Sequence, residues 1–133
     1  MKAISIQQPY GTLIAIQAKA IETRSWSTKY RGPLAIHTSK VLKPALRDLC
    51  LQEPFSGVLA KGGYVSVEDL PLGMVIATCN LVDVWPITPD NIPSEPEYSF
   101  GDYTPGRFSW SLKDVKRLPK PIAAKGQLGL WDF

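Results

Sequence analysis

The chain has 133 residues, of which 44% are hydrophobic and 20% charged, close to the averages of globular domains. This length corresponds to one domain, and the composition excludes a disordered tail, a collagen-like chain and a coiled coil. The net charge of +3 hides an uneven distribution, because residues 1–50 and 105–133 are basic whereas residues 51–104 are acidic. If the basic ends meet in the fold, they predict one positive surface for an anionic partner such as nucleic acid; scattered, solvated charges are the alternative interpretation.

No apolar stretch approaches the ~18 residues of a membrane span, and no signal peptide precedes the first predicted strand, so we predict a reduced, soluble, cytoplasmic protein without membrane contact. Cys50 and Cys79 lie in apolar surroundings and are expected to be free thiols. The single histidine, His37, lacks CxxC, HxxxH or HExxH neighbours, so no metal or cofactor is predicted. We expect it to be hydrogen-bonded at a strand end, and no GxSxG supports a serine triad.

The first part of the chain predicts short strands alternating with two helices. In chain order we predict a strand at Lys2–Ile6, a helix from Gln8-Pro9 to about Ala18, an extended segment at Ile21–Trp26, a strand at Leu34–His37 and a helix from about Pro44 to Glu53-Pro54. Proline suits the first turn of a helix because its missing N–H would be unpaired there. The second helix follows from apolar residues at positions 42, 46, 49 and 50.

The second part predicts mostly strands. The expected elements are a Gly-rich connection at 55–65, a capping box at Ser66–Asp69, a long strand at Met74–Trp85, an alternating strand at Phe108–Leu112, a turn at Leu118-Pro119 and a closing strand at Gly126–Phe133. A long acidic loop with five prolines occupies about 86–106. These elements predict one α+β domain over residues 1–133, a small mixed β-barrel with two or three flanking helices.

The residues most indicative of chemistry are Lys19, Glu22 and Arg24, which fall within six positions after the first helix. Glu22 and Arg24 are two apart and share one face of a strand, and Lys19 at the junction reaches the same place. Two cations beside one carboxylate would lower its pKa and keep it ionised. The trio predicts an anion-binding pair with an acceptor or base, whereas a surface ion-pair cluster of little energetic value is the alternative.

The segment Gln17–Arg24 resembles the G-x-K-x-x-E-x-R motif of the ASCH domain family, with Gln17 at the glycine position. Further matches are SIQQPYG before the helix, RGPLAIH at 31–37, LPLG before the long strand, and FSWSL and KGQLGLW near the end. The resemblance covers nearly the whole chain. It implies a PUA-like barrel with a cleft lined by the Lys/Glu/Arg segment, and an RNA- or nucleotide-binding domain, with RNA, a nucleotide or a nucleoside as the partner, in RNA metabolism.

The resemblance also implies a hydrolase as an alternative. One bacterial branch of the family hydrolyses the amide of N4-acetylcytidine with a lysine, a threonine and a glutamate, and other members are ribonucleases. The lysine corresponds to Lys19, the threonine position is held by Glu22, and Thr23 would face the other way. As catalytic residues, Glu22 would activate water while Lys19 stabilises the oxyanion, or Lys19 would itself be the base.

In a binding domain, Lys19 and Arg24 would contact phosphate, and Glu22 would accept from an exocyclic amine or orient Arg24. Three aromatic residues are candidates for base stacking: Tyr10, Trp26 and Trp110. Trp110 lies on the apolar face of its strand, which favours a position in the core over stacking. A third class of function is protein interaction through the 86–106 loop with Tyr98, Phe100 and Tyr103 exposed; the same loop fits a lid. The sequence does not indicate an oligomeric state.

Overall fold

The computed structural model describes residues 1–133 and contains six strands and three α-helices. The strands are β1 (Lys2–Ile6), β2 (Ile21–Arg24), β3 (Gly32–Thr38), β4 (Met74–Pro86), β5 (Phe108–Ala123) and β6 (Leu130–Asp132). The helices are α1 (Tyr10–Ala15), α2 (Pro44–Leu49) and α3 (Phe55–Lys61). None of the helices has the length and apolarity needed to cross a membrane.

All six strands belong to one sheet, in the order β2-β5-β4-β3-β1-β6. β1 and β3 pair in parallel, and every other neighbouring pair is antiparallel. The sheet curls into a half-barrel, which confirms the prediction of an α+β fold with a small mixed PUA-like barrel. β2, which carries the motif residues, lies at one edge and pairs only with the beginning of β5.

The main core packs on one face of the sheet. The apolar side predicted for the start of β5 is confirmed, because Trp110 and Leu112 are buried in this core with Ile4, Ile36 and Leu81. The alternation with exposed polar residues fails at Ser109, which is also buried. A second cluster of six buried residues joins the helices to the 86–106 loop: Leu13, Cys50, Phe55, Leu59, Leu70 and Phe100. Burial of each large apolar side chain contributes about 1.5–3 kcal/mol, so the second cluster fixes the helices and the loop against the sheet.

The prediction of a Gly-rich connection at 55–65 is wrong, because α3 occupies most of this segment. Phe55 and Leu59 are one helical turn apart, and both are buried in the second cluster. Their burial outweighs the poor helix propensity of Gly57, since most helical stability in proteins comes from packing of an apolar face. The capping box is confirmed at a 3₁₀ turn, Val67–Asp69, that begins after Ser66.

The turn predicted at Leu118-Pro119 is also wrong, because β5 continues to Ala123. The β4 residues Val75 and Ala77 pair with Ile122 and Arg117, so the intervening part of β5 forms an irregular bulge. β2 covers the other edge of β5 only at residues 108–111, and an uncovered edge tolerates proline because no ladder N–H is needed there. The closing strand is shorter than predicted, Leu130–Asp132.

The 86–106 loop contains one 3₁₀ turn, Glu97–Phe100, and otherwise lacks regular structure. The predicted exposure of its aromatic residues holds for Tyr98, which is 49% exposed, and is wrong for Phe100 and Tyr103, which are buried. Phe100 belongs to the second cluster and contacts the edge of the Phe55 ring at 5.1 Å between centroids. Part of the loop is therefore anchored in the core.

Helix α1 ends in a left-handed turn at Gln17, whose φ is 63°. The amide of Gln17 donates to the carbonyl of Ile14, and that of Ala18 donates to Leu13, both at 2.9 Å. These two bonds form a Schellman motif, in which glycine is the usual residue at this position. The glycine of the family motif therefore matches a position where the backbone favours glycine, and Gln17 adopts the same conformation.

Gln17→Gly is expected to raise the free energy of unfolding by about 0.5–1 kcal/mol, because glycine adopts positive φ without the steric cost of a Cβ atom. Urea denaturation of both proteins measures this difference. Gln52→Gly, outside any positive-φ position, is the control and should not stabilise the protein. A loss of stability in Gln17→Gly would contradict a strained backbone at this position.

Candidate functional site

The three motif residues are positioned by the end of α1 and by the edge strand β2. After the turn at Gln17, the amide of Lys19 donates to the carbonyl of Leu13 at 3.1 Å, which fixes the chain as it leaves the helix. Glu22 and Arg24 then lie opposite Trp110 and Phe108 of β5. The side chains of Lys19, Glu22 and Arg24 converge as the spacing predicts.

Glu22 lies between the two cations. The Lys19 Nζ atom is 3.7 Å from Glu22 Oε1, and Arg24 Nη1 is 3.3 Å from Glu22 Oε2. The Lys19 side chain has no exposed surface, whereas 9% of Glu22 and 24% of Arg24 is exposed. Exposure in the cluster therefore increases from the buried ammonium of Lys19 to the partly exposed guanidinium of Arg24. This differs from the surface ion-pair cluster that was the alternative prediction.

The Lys19 ammonium is enclosed on several sides. It donates a hydrogen bond to the carbonyl of Phe100 and lies 5.6 Å from the centre of the Tyr10 ring. Burial lowers the pKa of Lys19, while the nearby carboxylates of Glu22 and Glu97 oppose this shift. Burial, and next the Glu22 charge, raise the pKa of the Tyr10 hydroxyl. Lys19 thus joins the end of α1, the strand β2 and the 86–106 loop.

The lowered pKa of Lys19 predicts a pH dependence of stability. An unfolded lysine has a pKa of about 10.4, so at pH values between the folded and unfolded pKa the unfolded chain binds more protons. The free energy of unfolding should therefore gain a contribution from Lys19 as pH rises through this alkaline window. Urea denaturation from pH 8 to 10.5 should show this gain in the wild type relative to Lys19→Met.

Both proteins contain the same tyrosines, so subtracting the free energy of unfolding of Lys19→Met from that of the wild type removes the contribution of tyrosine titration. Lys61→Met, which alters an exposed lysine, is the matched control and should follow the wild-type pH profile. A wild-type minus Lys19→Met difference that stays constant with pH would contradict a lowered pKa for Lys19.

A cleft of about 270 Å³ opens over the exposed side of the cluster. Tyr10, Glu22 and Arg24 line one wall, and residues 100–102 of the loop line the other. Lys19 does not line the cleft and lies beneath it, in contact with Glu22 and the loop. Contact between Lys19 and a phosphate in the cleft would require its hydrogen bond to the Phe100 carbonyl to open.

Arg107 is a cleft residue that the sequence analysis did not identify. Its Nη2 atom donates to the carbonyl of Thr23 at 3.3 Å, and its Nε atom donates to the carbonyl of Asp102 at 3.1 Å. These bonds hold the guanidinium against both β2 and the loop, with 29% of the side chain exposed. The only sequence signal was the basic character of residues 105–133, which does not single out one arginine.

Gln7 also lines the cleft, and its Oε1 atom is buried without a hydrogen-bond partner. A buried acceptor without a partner is costly in the free protein, and a turn of the Gln7 side chain toward the cleft would let an N–H group of a ligand satisfy it. On the loop, Gly101 permits close approach, since a Cβ atom there would lie 2.8 Å from the Tyr103 ring and 3.1 Å from Thr23. The amide of Asp102 then donates to Thr23 Oγ1 at 3.1 Å.

The cleft lies in a part of the chain that matches a known protein family. The family model of the ASCH domain matches residues 4–121, which includes both cleft walls. The chain belongs to the ASCH domain family. ASCH domains are generally associated with RNA binding. A search of curated proteins found no match to this chain.

The two tryptophans predicted to stack on bases have different positions in this ASCH domain. Trp110 is fully buried in the main core, where its Nε1 atom donates to the carbonyl of Trp26 at 3.3 Å, so it presents no face to a ligand. Trp26 is half-buried, packs edge-on against Trp110, and lies 5.7 Å from the Arg24 guanidinium. Neither lines the cleft, so Tyr10 is the one of the three predicted stacking residues that does.

The ASCH domain brings no three His, Cys, Asp or Glu side chains together in a group able to hold a metal ion.

His37 is hydrogen-bonded at a strand end, as expected from the sequence, and Cys50 and Cys79 are free and buried. Burial raises the pKa of the Cys79 thiol to about 12. The chemistry available in the cleft is therefore that of two arginines, carboxylates, an amide and a phenol.

Proposed function

We propose that this ASCH domain binds RNA or a nucleotide in the cleft above Glu22 and acts in RNA metabolism. The supporting observation is that Arg24 and Arg107, from distant parts of the chain, line one cleft with partly exposed guanidinium groups. Arginine binds phosphate oxygens through two parallel hydrogen bonds, and two such groups in one cleft suit a phosphodiester. The proposal requires no metal or organic cofactor.

The remaining cleft residues suit a base beside the phosphate. The Glu22 carboxylate, and Gln7 Oε1 once its side chain turns toward the cleft, would accept from the amino group of a base such as cytosine. The Tyr10 ring provides a surface for stacking, worth about 1–3 kcal/mol per base. In this arrangement Lys19 acts from beneath the cleft, where it balances the Glu22 charge and binds the loop carbonyl.

The test is the binding of short single-stranded RNA and of mononucleotides, measured by fluorescence anisotropy and calorimetry at several salt concentrations. With three to five phosphates neutralised, log K should fall with log salt with a slope of roughly −2 to −4. Arg24→Gln and Arg107→Gln should each weaken binding about tenfold or more, since a hydrogen bond to a charged group contributes about 1.5–3 kcal/mol. Lys19→Ala should also weaken binding.

Lys61→Gln is the matched charge control, because Lys61 is exposed and lies on α3 in the acidic middle of the chain. It should change affinity far less than the cleft variants. Binding that is independent of salt, or no binding to any RNA or nucleotide, would contradict the proposal.

A hydrolase is the second candidate, and the buried Lys19–Glu22 pair favours it. A lysine whose pKa is lowered by burial can serve as a base, and Glu22, whose Oε1 atom lies 3.7 Å from Lys19 Nζ, lines the cleft where a substrate would bind. The substrates to test are N4-acetylcytidine and end-labelled RNA, with chromatography of the products. Product from the wild type but not from the Glu22→Gln, Lys19→Ala double variant would support hydrolysis; equal product from both would contradict it.

The proposal also includes a single domain over residues 1–133 and a cytoplasmic location. Continuous contact between the sheet, the helices and the 86–106 loop supports a single domain. The free thiols of Cys50 and Cys79 suit a reducing compartment. Limited proteolysis that leaves one resistant fragment of nearly full length would support the single domain.

A further inference from the structure

A second groove, of about 1050 Å³, shares no lining residue with the cleft. It lies beside the ends of β1 and β3 and the segment that joins β5 to β6. Ser5 and His37 line it, together with the cations Lys40 and Lys125. Nothing in the proposed RNA-binding function uses this groove.

Ser5 and His37 are adjacent because β1 and β3 pair in parallel with these two residues in register. The distance from Ser5 Oγ to His37 Nδ1 is 2.9 Å, and His37 Nε2 lies 2.8 Å from the carbonyl oxygen of Ala124. A carbonyl oxygen only accepts, so Nε2 carries the hydrogen of the neutral ring and Nδ1 is the acceptor for the Ser5 hydroxyl. The geometry is that of a nucleophile, a base and a group that orients the base.

The Ser5 oxygen also accepts a hydrogen bond from Trp131 Nε1 at 3.2 Å. A donor aimed at this oxygen favours its negatively charged form, which is the form that attacks an electrophile. The edge of the Trp131 ring packs against the His37 ring at 5.3 Å and restricts its rotation. His37 is 2% exposed, whereas Ser5 is only half-buried and faces the groove.

Gly126 packs directly on this pair. A Cβ atom at position 126 would lie 2.6 Å from Ser5 Oγ and 2.7 Å from His37 Cε1, so a larger residue would displace one of them. The segment around Ala124 and Gly126 therefore fixes the orientation of the base by a hydrogen bond and by close packing.

We propose that Ser5 and His37 form a nucleophilic dyad that cleaves carboxylic esters carrying an anionic group. Ser5 Oγ attacks the ester carbonyl carbon as its proton passes to His37 Nδ1, and collapse of the tetrahedral intermediate breaks the bond to the alkoxy oxygen. His37 gives the proton to this oxygen, which leaves as an alcohol. Water, deprotonated by Nδ1, then attacks the acyl-serine, releases the carboxylic acid and restores the Ser5 hydroxyl.

The groove defines the substrate class by its lining. Lys40 and Lys125 are exposed cations without an ion-pair partner in the fold, so they favour an anionic substrate. Leu72 and Leu128 are 37% and 99% exposed and provide apolar surface for an acyl chain. An acyl ester that bears a carboxylate or phosphate matches both features.

The first test treats the whole protein with a fluorophosphonate probe and locates the adduct by peptide mass spectrometry. A single adduct at Ser5 is expected, and Ser5→Ala should abolish it. His37→Asn should slow labelling by about 100-fold or more, as loss of a general base does. Ser39→Ala, at the same end of β3 without a hydrogen bond to His37, should be labelled like the wild type. No adduct at Ser5 in the folded protein, or equal labelling of His37→Asn, would overturn the proposal.

A second test keeps the histidine, because His37→Asn also removes the bond to Ala124 and can disturb the fold. In Ser5→Cys, the new thiol should react with iodoacetamide at pH 6.5–7, well below the ordinary thiol pKa of about 8.5. Cys50 and Cys79 are buried and serve as internal unreactive thiols. Alkylation at position 5 that follows an apparent pKa near 8.5 would overturn the dyad. Neither test depends on RNA binding. Failure of the esterase proposal would therefore leave the RNA-binding proposal intact, and the reverse also holds.

Discussion

Replacing Glu22 by glutamine is expected to lower the free energy of unfolding by about 3–5 kcal/mol. The variant keeps the shape of the side chain and removes the charge that balances the fully buried Lys19 ammonium. Removing one partner of a buried ion pair leaves the other charge desolvated and uncompensated, which costs far more than the pair contributes when intact. Guanidinium denaturation monitored by tryptophan fluorescence at pH 7 measures the loss.

Two further variants distinguish the effect of leaving a buried charge unpaired from the effect of removing a charge at the surface. Glu68→Gln breaks the exposed ion pair with Arg47, so it should lower the free energy of unfolding far less than Glu22→Gln does. The double variant Lys19→Met, Glu22→Gln strands no charge in the interior, so it should recover much of the loss seen in Glu22→Gln alone. Equal losses for Glu22→Gln and Glu68→Gln would contradict the importance of burial.

Phe100→Ala is expected to cost about 3–5 kcal/mol, the range for a large aromatic side chain removed from a core. Phe100 has no exposed surface and packs on Phe55 within the second cluster. The matched control is Tyr98→Ala in the same 3₁₀ turn, because Tyr98 is half exposed and should cost about 1 kcal/mol or less.

Phe100→Ala should also weaken ligand binding in the cleft. Gly101 and Asp102 directly follow Phe100 and line the cleft wall, so a loosened anchor displaces that wall. The same RNA-binding measurement tests this loss of affinity. It is made without denaturant, at a temperature where the variant remains folded. A cost below about 1 kcal/mol would contradict the view that the 86–106 loop is held by the core, and would restore the alternative of a freely opening lid.

The sequence predicted those parts of the fold that depend on neighbours along the chain. The strand alternation predicted that Trp110 and Leu112 are buried. The spacing of Lys19, Glu22 and Arg24 predicted that their side chains converge, because the three residues lie within one six-residue segment. Helix α3 was missed because its stability comes from burial of Phe55 and Leu59 in a cluster formed by distant segments.

The missed site residues share the same cause. Arg107 lies beside Thr23 only because β5 pairs with β2, and the loop from β4 to β5 brings Asp102 to the same place. Likewise, Ser5 meets His37 only through the parallel pairing of β1 with β3, for which the sequence contains no local pattern. The burial of Lys19 could not be predicted from its neighbours in sequence either, because it depends on Phe100, far along the chain.

The two walls of the cleft come from segments far apart in sequence, so the cleft exists only when the whole domain is folded. Occupancy and unfolding are therefore thermodynamically linked: a ligand held by Arg24 and Arg107 binds the native state and has no equivalent site on the unfolded chain. At a concentration 100 times its Kd, such a ligand adds about 2.7 kcal/mol to the free energy of unfolding. A library of unlabelled nucleotides and modified nucleosides can thus be ranked by the rise in melting temperature alone.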